Sequence, residues 1–464
     1  MSAPFDRLSA DLVPQIFQFV HERDHYKLTL VCKSLHAEAT KLLYSDLDLL
    51  LRFDSNVALF VRTIIDHPNL AEHVKVLDAR GEAVSENLAR QRKMEVRQIL
   101  SPKQLRTLKG HLINIINLER GLMDSYHIVD LMFAFIVSKA VNLNALTLSG
   151  YFQDLCTPKI VRRLIEFPIG KTLAFQKIQK LQVYVPFDGK RVDFPMLEVM
   201  NTLFSLPSLS YLGLGGTHEG WESYFGHLHS RTSSSLTELV LGTHILQETV
   251  CQILQFMPNL KRLSHKDFGR WRLYGETLQL DQALLQFRKT LESFELIAEN
   301  YTLYDGIVSS VGSSLSSMKK LTHVELPLHI AFGLHELFTT TLEHTLPASL
   351  RSLTLGCGLL PHLDRNTTPS FQKRYHIDEI LRFFERKTAS APLLERFTLT
   401  FWHSLEPPSI PDQPTFDLLY TTARDQGVAF QVEVATWDRN RRAWDKIIPN
   451  DMPYFILKSR EDEW

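Results

Sequence analysis

A six-residue phrase, apolar-x-x-apolar-x-apolar, returns along the chain and leaves it few ways to fold. It reads Leu143-Asn144-Ala145-Leu146-Thr147-Leu148, then Ile178 to Val183, Leu209 to Leu214 and Leu236 to Leu241. It continues, in part, at Leu260-Lys261-Arg262-Leu263, and fully at Leu291 to Leu296, Leu321 to Leu326, Leu350 to Leu355 and Leu394 to Leu399. An earlier copy is Val74 to Ala79. Starts at 143, 178, 209, 236, 260, 291, 321 and 350 are separated by 35, 31, 27, 24, 31, 30 and 29 residues. A unit that short holds one strand and one helix and leaves an apolar edge bare. Only stacking on the next unit covers that edge, so the phrase predicts parallel strands in chain order with helices behind them. Prolines before the phrase, as in Met257-Pro258-Asn259-Leu260 and Leu206-Pro207-Ser208-Leu209, end a helix and hand the chain to a strand.

These phrases resemble leucine-rich repeats, and the resemblance implies an α/β solenoid with parallel strands on the concave face and helices outside. The Asn or Cys that usually closes the phrase is missing: Leu148 is followed by Ser149, Gly150 and Tyr151. Irregular turns are therefore expected. The array is expected over 50–435, with helical or looped insertions near 80–142 and 356–393, where the gaps exceed one period, and a tail or cap over 436–464. Val428 to Trp437 alternates strictly and reads as the closing strand.

Residues 1–49 form a separate helical unit. Leu12, Ile16 and Val20 recur every four residues, with Val13 and Phe17 beside them, on a predicted helix of about three turns capped by Asp11. A second face is Leu28, Val31, Cys32 and Leu35, with Asp24 as its expected cap, and a third segment carries Ala39, Leu42, Leu43 and Tyr44. Helices this short cannot bury their own apolar faces, so some of these side chains should pack on a partner. The order Leu8, Asp11, Leu12-Val13, Ile16-Phe17, Val20 and later Val31-Cys32-Lys33 resembles the F-box, with Ser9 where the family usually has Pro. Together with the repeats, the chain resembles the F-box proteins of filamentous fungi. That resemblance implies docking on a Skp-family adaptor, and through it a cullin, by Leu8, Leu12, Val13, Ile16, Phe17, Val20, Leu28, Val31, Cys32 and Leu35. It implies a non-catalytic, substrate-receptor subunit of an SCF-type ubiquitin ligase. A non-degradative scaffold and an enzyme are the alternatives from other classes.

Alternation within each phrase projects Lys180, Gln182, Tyr184, Tyr211, Glu238, Arg262, Glu295, His323, Glu325, Arg396 and Thr398 onto the concave side. Trp402 follows the last phrase as an aromatic anchor. A mixed-charge, Tyr-containing strip suits a target protein. Glu295, His323, Glu325 and Arg396 are read as equivalent points of separate phrases.

Other chemistry has weaker support. The formal net charge of -1 gives no global attraction to nucleic acid or anionic membrane. The basic residues Arg90, Arg92, Lys93, Arg97, Lys103, Arg106 and Lys109 lack interleaved aromatics and read as a solvated helix face. His21-Glu22-Arg23-Asp24-His25 fits H-E-x-x-H, but zinc chemistry needs one continuous helix, and the segment reads as a loop between helices. Cys32, Cys156, Cys251 and Cys357 are too scattered for a zinc site or a disulfide framework. Gly213-Leu214-Gly215-Gly216 reads as a repeat turn, and no G-x-S-x-G is present. The sequons Asn300-Tyr301-Thr302 and Asn366-Thr367-Thr368 have no basic, apolar leader ahead of them. No metal or cofactor, and a cytoplasmic or nuclear setting, are expected.

Overall fold

The computed structural model describes residues 12–17, 19–48, 55–79, 96, 98–116, 128–149, 176–185, 206–216, 235–242, 247–270, 277–300, 312–332, 341–357, 377–403, 413–436 and 455–459. It divides into two compact units, Met1–Leu212 and Gly213–Trp464.

The first unit opens with three short helices, α1 (Leu12–Phe17), α2 (Glu22–Leu28) and α3 (Lys33–Leu43). Strand β1 (Asp46–Asp48) follows, then α4 (Ser55–Asp66), a 3-10 turn at Pro68–His73 and β2 (Val76–Ala79). Next come α5 (Pro102–Ile116), α6 (Ile128–Lys139), β3 (Ala145–Ser149), β4 (Lys180–Val185) and β5 (Tyr211–Gly216), in which the division between units falls. The pairs β1–β2, β2–β3 and β3–β4 are parallel. Leu77, Leu146, Leu148, Leu181 and Val183 alternate inward and are buried.

Helices α5 and α6 lie within the long 80–142 spacing. Helix α5 has a reciprocal start: the Gln104 backbone N–H donates to Ser101 Oγ at 3.3 Å, and the Ser101 N–H donates to Gln104 Oε1 at 3.0 Å. Pro102 occupies the first helical position, where its missing N–H costs nothing. Helix α6 is apolar all round, and Leu131 through Val137 are all buried, because it packs against both α4 and α5.

The second unit continues with β6 (Glu238–Leu241), α7 (Gln247–Leu254), β7 (Arg262–Arg270), α8 (Thr277–Leu284), β8 (Ser293–Asn300), α9 (Gly312–Leu315) and β9 (His323–Pro327). Then come α10 (Leu328–Phe332), α11 (Leu342–Thr345), β10 (Ser352–Cys357), α12 (Ile377–Glu385), α13 (Lys387–Ser390), β11 (Arg396–His403), α14 (Gln413–Asp425), β12 (Ala429–Thr436) and β13 (Phe455–Ser459). From β6 to β13 neighbouring strands follow chain order and every pair is parallel. This is the α/β arrangement that the phrase predicts. Near its end the core is aromatic: Phe384 meets Phe397 edge-on at 4.9 Å, and Phe397 stacks on Phe430 at 6.1 Å.

One backbone device starts successive rungs. The Thr237 carbonyl accepts the N–H groups of both Lys261 and Arg262; the Lys261 carbonyl accepts those of Glu292 and Ser293. Glu292, Thr322 and Arg351 repeat the arrangement toward Thr322/His323, Arg351/Ser352 and Glu395/Arg396, and all these bonds measure 2.7–3.3 Å. In the first unit Ser45, Lys75, Asn144 and Gln179 do the same toward Lys75/Val76, Asn144/Ala145, Gln179/Lys180 and Ser210/Tyr211. Register is thus set at strand entry, and the unequal spacing is absorbed beyond the strands.

Several expectations need correction. The first described strand begins at Asp46 and the last is β13, so strands lie beyond the 50 and 435 limits, and Val428 to Trp437 is not the closing strand. Gly213–Gly216 is the end of strand β5, not a turn. A Cβ on Gly242 would lie 3.1 Å from Gly215 Cα, and the Gly242 N–H donates to Leu214 O at 2.6 Å, so glycine here permits close backbone approach. The first helix ends at Phe17, and Val20 lies in the turn that follows, held by its N–H to Phe17 O at 3.1 Å. Leu28 to Leu35 is not one helix. Thr29 Oγ1 donates to Tyr26 O at 2.7 Å and closes α2, and Cys32 is extended at the N-cap of α3. Asp24 is accordingly inside α2 rather than its cap.

Candidate binding surfaces

The three N-terminal helices share a core too small to use all their apolar side chains. Phe17, Leu35 and Ala39 are buried together, with Leu28, Cys32 and Leu42 packed against them. Helix α3 touches both α1 and α2. Outside this core Leu12 is 45% exposed, Ile16 42%, Phe19 90%, Tyr26 63%, Leu30 71% and Val31 53%. Those six are the majority of the ten large exposed hydrophobics among the described residues, crowded into twenty positions. Isolated exposed apolar residues are ordinary, but a crowded set marks a contact surface.

Of the residues predicted to dock an adaptor, Leu12, Ile16 and Val31 are exposed and available. Phe17 and Leu35 are corrected: they face inward and hold the helices together. Leu28, Cys32 and Val20 are half-buried. Leu8 and the Val13 side chain lie outside the described residues. Phe19, Tyr26 and Leu30 were not predicted. Tyr26 and Leu30 are four apart, a signal hidden by the polar residues around them.

His21 and His25 are also corrected. The segment is not a loop, because α2 starts at Glu22 and carries His25, with His21 one residue before it. The His25 ring packs on Phe17 at 5.9 Å, in the edge of the small core. Asp24 pairs with Lys27, whose hydrogen bond holds the Asp24 carboxyl below its usual range. Among the described residues no group of three His, Cys, Asp or Glu side chains could hold a metal ion.

In the second unit the register sorts the predicted strip into two rows, not one. Glu238 pairs with Arg262, Arg262 with Ser293, Ser293 with His323, His323 with Ser352, and Ser352 with Arg396. Two residues along, Ser264 pairs with Glu295, Glu295 with Glu325, Glu325 with Thr354, and Thr354 with Thr398. Glu295 and Glu325 are thus equivalent to each other, and His323 and Arg396 belong to the other row, nearer strand entry. Arg262, His323 and Arg396 are exposed; Glu238, Glu295 and Glu325 are half-buried. Arg262 reaches Glu238 at 3.8 Å. Thr398 is corrected: at 3% exposure its short side chain is enclosed between flanking strands. Trp402 pairs with Ala435, but its side chain lies outside the described residues.

The opposite face of β7 holds a histidine in an apolar slot. His265 pairs in register with Leu241 and Leu296, is 2% exposed, and burial pushes its pKa down to about 4.

The strand face of the first unit carries a polar ladder. Thr147 Oγ1 donates to Gln182 Oε1 at 3.2 Å, Gln182 Nε2 donates to the Tyr211 hydroxyl at 3.0 Å, and Lys180 Nζ sits 4.6 Å above the Tyr211 ring. The Tyr184 side chain lies outside the described residues, as do Arg90, Arg92, Lys93 and Arg97.

Among the described residues no helix is long and apolar enough to cross a membrane. No family model and no curated protein sequence matches the chain.

Proposed function

We propose that this chain is the substrate-receptor subunit of an SCF-type ubiquitin ligase. Helices α1–α3 dock a Skp-family adaptor, which links the chain to a cullin, and the strand face of the second unit holds the target protein. The observation that carries the reading is the crowding of Leu12, Ile16, Phe19, Tyr26, Leu30 and Val31 on the outside of a core that is already filled. The described residues of the apolar order that resembles the F-box fall on these three helices and the turns that join them. The chain itself makes and breaks no bond in this role. It raises the local concentration of a target lysine near the activated ubiquitin carried by other subunits.

Co-expression with a Skp-family adaptor tests the first half. A stable complex that is lost in Ile16→Asp supports it, and separate elution of wild-type protein and adaptor at micromolar concentration overturns it. Co-purification of a cullin, and accumulation of bound partners when the proteasome is inhibited, separate the ligase role from a non-degradative scaffold.

A further inference from the structure

A cavity of about 670 Å³ opens where three successive turns enter β8, β9 and β10, and Arg288, Lys289 and Lys319 line it. Lys289 and Lys319 stand two residues ahead of Leu291 and Leu321, the first apolar positions of adjacent phrases. Their strands pair in register, and the Lys319 N–H donates to Arg288 O at 3.2 Å, which fastens one turn to the next. The cations are therefore held side by side. Lys320, the next residue, is exposed as well.

Neighbouring rungs neutralise their entry charges. Lys261 pairs with Glu292 at 3.4 Å, and Arg351 with Glu395 at 2.8 Å. Arg288, Lys289, Lys319 and Lys320 have no carboxylate partner among the described residues, and no acidic side chain lines the cavity. Lys289 and Lys319 stand at the same offset on adjacent rungs, and like charges on neighbouring turns repel over about 8 Å at physiological salt until an anion relieves them.

From this we infer a second binding site, at the strand-entry rim, for an acidic segment of a partner polypeptide. The ligand is a run of carboxylates rather than one compact phosphate, because two of the three lining hydroxyls are committed to backbone carbonyls. Ser349 Oγ donates to Met318 O at 3.2 Å and Leu321 O at 2.8 Å, and Ser317 Oγ donates to Ser314 O at 2.7 Å. A compact dianion needs converging donors, and these two hydroxyl protons are already given to the backbone. Exposed lysines on adjacent turns act as separate point charges and suit carboxylates carried along a chain. The site rests on the reading of the array as a protein-binding surface, but not on adaptor docking, which uses other residues and another assay.

Fluorescence anisotropy with the full chain tests it. The probes are a labelled twelve-residue peptide rich in Asp and Glu, its Asn/Gln counterpart, a neutral peptide with one phosphoserine, and inorganic phosphate as competitor. The acidic peptide should bind and the neutral one should not. Binding should weaken about tenfold or more on raising salt from low to several-fold physiological strength, as for several exposed charge contacts. Lys289→Gln with Lys319→Gln should weaken it, and Arg288→Glu with Lys289→Glu and Lys319→Glu should abolish it. Lys103→Glu with Arg106→Glu on α5 should leave it unchanged. Unchanged thermal melts in the Gln pair keep the result independent of folding. Absence of acidic-peptide binding, equal loss in the α5 control, or preference for phosphate or the phosphoserine peptide would overturn the proposal. Failure here with adaptor binding intact removes the rim site alone.

Discussion

Glu295 and Glu325 stand directly opposite each other in the parallel register of β8 and β9. Their backbones are thereby one strand spacing apart, about 5 Å, with both side chains on one half-buried face. Like charges in this position oppose folding. A single Glu295→Lys replaces repulsion by a cross-strand ion pair and should raise stability by about 0.2–1 kcal/mol. If that face holds the target, the same variant should lose partners in affinity purification. Glu295→Lys with Glu325→Lys restores a like-charge pair, so its stability should return toward wild type while partners remain lost. Denaturant unfolding alongside partner recovery separates the two effects. Retained partners in both variants would move recognition off this row.

The N-terminal helices predict a division of labour between adjacent residues. Ile16 is exposed and Phe17 is buried. Ile16→Asp should leave the helical signal and melting of the free protein unchanged within about 0.5 kcal/mol, as a surface change does, yet abolish adaptor binding. Phe17→Ala removes the largest side chain of the small core and should cost about 3–5 kcal/mol of local stability. Tyr26→Ala and Leu30→Ala, which no motif flagged, should each weaken adaptor binding by about 1–2 kcal/mol or more if that surface is the interface. Thermal melts of the free protein read the stability of the Ile16 and Phe17 variants, and isothermal titration with the adaptor reads binding by the Ile16, Tyr26 and Leu30 variants.

The sheet was legible because each phrase encodes its own rung: two residues after its first apolar position the chain enters a strand, as Leu321 precedes His323 and Leu350 precedes Ser352. The same count puts Glu295 and Glu325 at one offset and His323 two residues earlier. The single-strip reading lost that distinction by treating period-two neighbours as one line. Strand β13 escaped because Phe455-Ile456-Leu457 carries no phrase. Helix α2 escaped because Glu-Arg-Asp-His-Tyr-Lys-Leu shows no apolar stripe; it is held by contact with α3. Burial of Phe17 and Leu35 could not be told from docking by composition, since both roles call for an apolar side chain.

Two glycines should respond in opposite directions. Gly110 lies inside α5, and a Cβ added there would meet nothing within 4 Å, so Gly110→Ala should stabilise by about 0.5–1 kcal/mol through backbone entropy. Gly242→Ala forces a Cβ to 3.1 Å from Gly215 Cα and 3.3 Å from Leu214 O, where only backbone can yield. A loss of about 1–3 kcal/mol is expected, as for other overpacked sites. Thermal or denaturant midpoints decide it, and a neutral Gly242→Ala would show that β5 and β6 are less tightly joined than their 2.6 Å hydrogen bond indicates.

Stability should fall on mild acidification, and two histidines, His265 buried and His111 half-buried, carry the effect. Burial lowers His265 to about 4; it also lowers His111 to about 4, where the nearby Lys139 charge adds to the shift. His111 contacts Ser138 Oγ at 3.0 Å and lies edge-on to Phe135 at 5.3 Å. The folded values lie below the ordinary 6.5, so the unfolded chain takes up protons that the folded chain refuses. Stability from these groups is therefore complete above pH 6.5 and drains away as pH falls toward 4. Each histidine gives a slope of up to about 1.4 kcal/mol per pH unit within that window. His265→Leu puts an apolar side chain at the rung position between Leu241 and Leu296 and should remove one proton from the slope for the second unit. His111→Leu should do so for the first. Denaturant unfolding at about pH 7.5, 6.0 and 5.0, one value above the window and two inside it, measures the slopes. An unchanged slope in His265→Leu would mean that its ring takes up a proton inside the folded sheet, against the burial that surrounds it.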